Sequence, residues 1–387
     1  MRRREAWQQG KILLNCMARN NEMTVSRRGW IGSTVAGIAA AAVAASSRAA
    51  ESAPAVRRGI PLGYDNFAVR AMGWNARQLV DHAETLQCDS LFITDFGPFE
   101  GRHDDATLGE LRRYAADKGV AIALGSWSIC PGSGTFKNDW GTAEEHLVLG
   151  IRMAEALGSP AFRVVLGNGG DRLSEGGIEA RIAETVQVLK AVRSRALDAG
   201  VKIAVENHAG DLRASELKSL IEEAGRDYVG ANFDSGNACW TLEDPVVSLA
   251  TLGSLVATTS LRDTMLWETE RGITAQWTAM GEGCVDLPAF FDRFAADCPG
   301  VAVHIETISG FPREMKLFDR EFWQAYPKLT AEELAPFLEL ARRGHAIEPS
   351  RLPDGPARKE AEQQYQLAEI ERSIRYCREA LGLGLRG

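Results

Sequence analysis

Glu206, Asp234 and Glu306 each close a short apolar run, and each is followed or preceded by further polar residues at strand-like spacing. The runs 201–205 and 229–233 end in Glu206-Asn207-His208 and Asp234-Ser235-Gly236-Asn237. Two later runs carry Ser260-Leu261-Arg262-Asp263 and His304-Ile305-Glu306. Side chains alternate along a strand, so Glu206 and His208 should share a face, as should Ser260 and Arg262, and His304 and Glu306. Carboxylates delivered side by side from neighbouring strands suit either a metal site or an acid/base pair. Glu206 and Glu306, from strands separated by two others, could flank a ligand and pass a proton across it. The bland alternative is a set of salt bridges at the barrel mouth, with Arg262 neutralising Asp234 or Asp263.

The elements needed to hold these residues follow from 57 onward. Strand patterns at 60–64, 90–94, 120–125, 162–166, 201–205, 229–233, 255–261 and 301–305 alternate with helical patterns at 75–86, 107–118, 142–157, 178–199, 214–225, 244–252 and 287–296. Thr142 with Glu145 forms a capping box. Eight strands with long crossovers imply parallel pairing and a (β/α)8 barrel, an α/β fold whose chemistry sits where the strands end. An open doubly wound sheet has less support, because no G-x-G-x-x-G follows the first strand. Glu206 and Asp234 lie 28 residues apart and Asp234 and Ser260 lie 26 apart, close to one βαβ step; the 46 from Ser260 to Glu306 require an inserted loop, placed at 264–283.

Composition narrows the class. The 387 residues are 45% hydrophobic and 25% charged, as in a globular protein, and the net charge of −8 argues against a nucleic-acid partner. Seven scattered cysteines show no metal-finger or C-x-x-C spacing and read as buried or idle thiols. Residues 1–50 read as a targeting segment. Ser26-Arg27-Arg28-Gly29-Trp30-Ile31-Gly32 precedes a small apolar stretch, 33–45, and the small residues around Ala50, as in a twin-arginine export signal. Met23 is a second candidate start. The apolar stretch is too short for a spanning helix, so a periplasmic or otherwise extra-cytoplasmic protein with no membrane insertion after signal removal is expected. The barrel is assigned to 57–310. The tail, 311–387, with helical patterns at 330–343 and 358–381, should pack on it or build an interface between copies.

The order of these motifs, with Met280-Gly281-Glu282-Gly283 before the last strand, resembles the xylose isomerase-like TIM-barrel superfamily of sugar phosphate isomerases and epimerases. The resemblance covers roughly 57–310. It implies one divalent ion, Mn²⁺ or Mg²⁺, held by Glu206, Asp234, Glu306 and, at a position where relatives carry His, Ser260. A serine hydroxyl is a weak ligand, and three carboxylates without an imidazole suit a hard ion. The resemblance further implies a carbohydrate substrate, with Glu206 and Glu306 moving a proton next to its carbonyl and His208, Asn237 and Arg262 in contact with it. Trp127, just past the third strand, could stack on a sugar face. A keto-sugar dehydratase or lyase would share the first step. A metal-free sugar-binding relative is the non-catalytic alternative, favoured by Ser260 and Asn237. An apurinic endonuclease on the same barrel would need more strand-end histidines than this chain has. His304 is expected inside the barrel as a hydrogen-bonded residue, and His82, His103, His146 and His345 on the surface.

Overall fold

The computed structural model describes residues 57–386; the proposed export signal and Cys16 lie outside them. Eight parallel strands form one sheet: β1 (Leu62–Asp65), β2 (Ser90–Ile93), β3 (Ala121–Ser128), β4 (Ala161–Val165), β5 (Lys202–Glu206), β6 (Val229–Phe233), β7 (Val256–Thr259) and, eighth in space, β10 (Val303–Ile305). Each pairs with the next in order, β10 returns to β1, and a single parallel bridge between Leu261 and Ile305 closes the cylinder. Leu261 N donates to His304 O at 2.7 Å and Glu306 N to Leu261 O at 2.8 Å. Every residue of β2, β4 and β6 is buried, because helices cover the outside and side chains fill the inside.

The helices follow the expected positions, except that one is divided and a short helix, Ser235–Trp240, follows β6. The pattern at 178–199 divides at Val192 into Gly177–Ala191 and Arg193–Ala199. The tail helix Arg358–Glu379 packs against the turn after β1 and beside β1 and β10 themselves, burying Ile370, Ile374 and Cys377. It therefore sits where the helix after an eighth barrel strand belongs. Among the described residues, no helix is long and apolar enough to cross a membrane.

The segment expected to be a loop, 264–283, is a hairpin instead. β8 (Asp263–Thr269) and β9 (Gly272–Thr278) pair antiparallel along their length, and β11 (Arg313–Met315) adds to β9. Its threonines, tryptophans and Ile273 favour a pleated surface, and Gly272 takes the positive φ at the turn. Asp263 pins the hairpin's base, accepting from the backbone N–H of Gly281 and Gly283.

His146, expected on the surface, is 2% exposed. It lies inside the helix Ala143–Leu157 on the face that packs on the barrel, and its Nε2 meets Ser126 Oγ at 2.7 Å. His82 and His103 are half-buried against aromatic rings rather than free in solvent. Burial pushes His146 down to about 4. Its unfolded value is near 6.5, so neutral His146 contributes stability above pH 6.5 that is lost as pH falls toward 4. His146→Gln cannot titrate. Its stability deficit relative to wild type is therefore expected to shrink by about 3 kcal/mol between pH 7.5 and pH 4. Denaturant melts at both pH values check this; a deficit independent of pH would refute it.

Candidate active site

At the C-terminal rim, side chains at or near the ends of β1, β4, β5 and β6 and just after β6, β7 and β10 meet in one polar cluster. Glu206 ends β5; its Oε2 accepts from Arg163 Nε on β4 at 2.5 Å and from Asn232 Nδ2 on β6 at 2.9 Å. Arg163 also donates to Ser126 O at 2.7 Å, which fixes its guanidinium across β3 and β4. Asp234 caps the helix Ser235–Trp240, accepting from Asn237 N at 2.9 Å and from Asn237 Nδ2 at 2.7 Å. Arg262 Nη2 donates to Asp234 Oδ2 at 2.5 Å and to Glu306 Oε2. One guanidinium thus joins the acids from β6 and β10, and neither acid is more than 6% exposed.

Arg262 is held from behind by the hairpin. Its Cζ lies 4.2 Å from the Trp277 ring centroid, Trp277 stacks on Trp240 at 4.0 Å, and Arg313 Cζ lies 4.4 Å from the Trp240 centroid. Cation–π contacts at such desolvated positions contribute on the order of 2 kcal/mol each. Gly236 makes the approach possible, since a Cβ there would fall 2.5 Å from Arg262 Cδ and 2.8 Å from Trp277 Nε1.

Four acids share the cluster with two guanidiniums. Burial, and then the charge of Glu306, raises Asp65 well above the usual carboxylate range. Burial also raises Asp234 and Glu306, against the pull of Arg262. Retention of two protons would bring the cluster to electroneutrality, the cheapest state for buried charge.

Among the expected site residues, Glu206, Asp234, Arg262 and Glu306 come together in this cluster. Ser260 is beside them, with its hydroxyl engaged elsewhere: its Oγ donates to Asp65 Oδ2 at 3.1 Å and accepts from Asn232 Nδ2 at 3.3 Å. Asn237, expected against substrate, donates to Asp234 and, at 3.3 Å, to Glu206 Oε1; its buried Oδ1 has no partner among the described residues. His208 lies half-buried at the rim. Its Nδ1–H donates to Gly167 O at 2.7 Å, which leaves Nε2 as the acceptor, and burial lowers its proton affinity. Trp127, 39% exposed, sets its ring edge-on to His208 at 5.3 Å and donates from Nε1 to Thr135 O. An imidazole acceptor beside an open indole face suits a polyhydroxylated ligand. His304 is inside the barrel, its Nε2 at 2.8 Å from Ser90 Oγ.

Sequence reading did not single out Asp65, Arg163 and Asn232. Arg163 and Asn232 are polar residues inside otherwise apolar strand runs, a signal that was available. Asp65 follows directly on the first strand run, at the same rim position as the other acids.

The set expected to hold Mn²⁺ or Mg²⁺ does not fit such an ion in this arrangement. A guanidinium stands between Asp234 and Glu306, a second takes Glu206, and the Ser260 hydroxyl is turned to Asp65 and Asn232. Among the described residues, no group of three or more His, Cys, Asp or Glu side chains is arranged to hold a metal ion.

A closed parallel barrel with convergent acids at its C-terminal rim defines the class: a TIM barrel of enzyme-like architecture. The family model described as xylose isomerase-like TIM barrel matches residues 68–322, and the chain belongs to that family. No curated protein matches it in sequence. Among solved structures it is similar to a D-psicose 3-epimerase crystallised in the presence of D-fructose, at 13% identity and a TM-score of 0.54, over 84% of this chain and 100% of the other. It is also similar to an L-ribulose 3-epimerase, at 16% identity and 0.51, over 85% and 100%. A D-psicose 3-epimerase with D-tagatose from Clostridium cellulolyticum H10 matches at 13% and 0.51, over 82% and 99%. At these identities the likeness is one of fold.

Proposed function

We propose that this protein is a sugar epimerase or isomerase that moves a proton on the carbon next to a carbonyl, exported by the segment carrying Arg27 and Arg28. The observation that carries the reading is the convergence at the rim of Glu206, paired with Arg163, and of Asp234 and Glu306, joined by Arg262, with His208 and Trp127 nearby. The family and the epimerase neighbours support the same class of substrate.

The chemistry follows from the arrangement. A carboxylate removes the proton from the carbon adjacent to the carbonyl. The C–H electron pair becomes the C=C bond of an enediolate, and the carbonyl π pair moves onto oxygen, where positive charge at the site offsets it. Return of a proton to the opposite face of the same carbon gives an epimer; return to the former carbonyl carbon, with the hydroxyl proton passing from the adjacent oxygen to the former carbonyl oxygen, gives the aldose–ketose isomer. Glu206, at the end of β5, and Glu306, directly after β10, would be the two groups of such a two-sided proton transfer. An extra-cytoplasmic address favours a free sugar or an oxidised derivative over a sugar phosphate.

Incubating purified protein with a panel of free aldoses, ketoses and keto-sugars, and separating the products by chromatography, tests this. Appearance of an epimer or aldose–ketose partner is expected. An unsaturated product would assign the site to elimination, and no conversion of any member would refute the reading.

A further inference from the structure

We infer that Arg262 is the resident cation of this site, standing in the place where the metal-dependent pattern puts a divalent ion, and that the protein works without such an ion. Three observations meet here. The guanidinium bonds Asp234 and Glu306 together, two of the three carboxylates an ion would need. Ser260 replaces the imidazole expected on the seventh strand and spends its hydroxyl on Asp65 and Asn232. The guanidinium is also built in: Gly236 makes room for its stem, and Trp277, backed by Trp240, covers its face. An ion could enter only by expelling a buried, doubly paired arginine from that stack.

Arg262 retains capacity for a ligand. Its Nε and Nη1 have no partner among the described residues, although Nη2 serves two acids. A planar guanidinium with donors to spare can bond both a carboxylate and a developing oxyanion. In the proton transfer proposed above, on which this part rests, Nη1–H would donate to the enediolate oxygen and carry the electrophilic role. No proton leaves the guanidinium, whose pKa is too high for it.

The test is metal content and metal binding, which need no substrate. Wild-type protein, purified without chelator and dialysed, is expected to hold far less than one Mn, Mg or Zn per chain, with a melting midpoint unmoved by Mn²⁺, Mg²⁺ or EDTA. The double variant Ser260→His/Arg262→Leu restores an imidazole and removes the guanidinium; it is expected to gain one Mn²⁺ per chain and a midpoint raised by several degrees at saturating Mn²⁺. One tightly held ion per wild-type chain, lost in Asp234→Asn, would overturn the inference even if the double variant fails to fold. A folded double variant that binds no ion would overturn the claim that Arg262 displaces it. A wild-type protein free of metal yet inactive on every sugar would refute the proposed function and leave the cation assignment standing.

Discussion

Glu206→Gln and Glu306→Gln are each expected to slow net epimerisation of a keto-sugar, and solvent exchange on the face that residue serves, by about 10²–10⁴-fold, the usual contribution of a positioned acid or base. Glutamine keeps the shape and one acceptor oxygen, so most of the packing around Arg163 and Asn232, or around Arg262, survives. Solvent-exchange rates read by NMR, beside melting curves for the same variants, separate lost chemistry from lost structure. Near wild-type epimerisation in either variant would remove that residue from the reaction. If the two glutamates act on opposite faces, each single variant should retain exchange from one face while losing net epimerisation, a split that no purely structural role produces.

Arg262→Ala should be the most damaging single change to stability. It leaves Asp234 and Glu306 buried without a counter-charge and opens one end of the indole stack. Breaking a buried pair from one side typically costs about 3–5 kcal/mol. The sign of its pH dependence follows from the acids left behind. Burial already raises both, and losing the guanidinium raises them further, so the variant's deficit is largest at alkaline pH and shrinks as the acids protonate. Denaturant melts of wild type and variant at pH 8 and pH 5 measure this. A deficit below about 1 kcal/mol, the range of an exposed pair, would contradict the position assigned to Arg262.

Much of this was legible in the chain because barrel strands carry a simple code. Apolar runs of four or five residues that end in an acid place β5, β6 and β10, and Thr142 announces its helix as a cap. The hairpin after β7 was not legible as such, since its role is set by what it covers: Trp277 gains its meaning only from lying on Arg262 and Trp240. The side-chain partners were the least legible. Period-two alternation puts Arg262 on the same face as Ser260, yet nothing local says that its guanidinium reaches two acids on different strands. Arg163 was missed because the run around it reads as one more core strand, and its charge makes sense only beside Glu206. Asn237 was expected against a ligand; its position in the first turn of the helix capped by Asp234 instead directs its amide back onto that acid.

Deuterium incorporation from D₂O into a converted keto-sugar tests the central claim most directly. Convergent glutamates that move a proton beside a carbonyl predict deuterium at one carbon adjacent to that carbonyl with wild-type protein, and its loss or reduction to one face with Glu306→Gln. Conversion with no label from solvent, or label that persists unchanged in both glutamate variants, would contradict it.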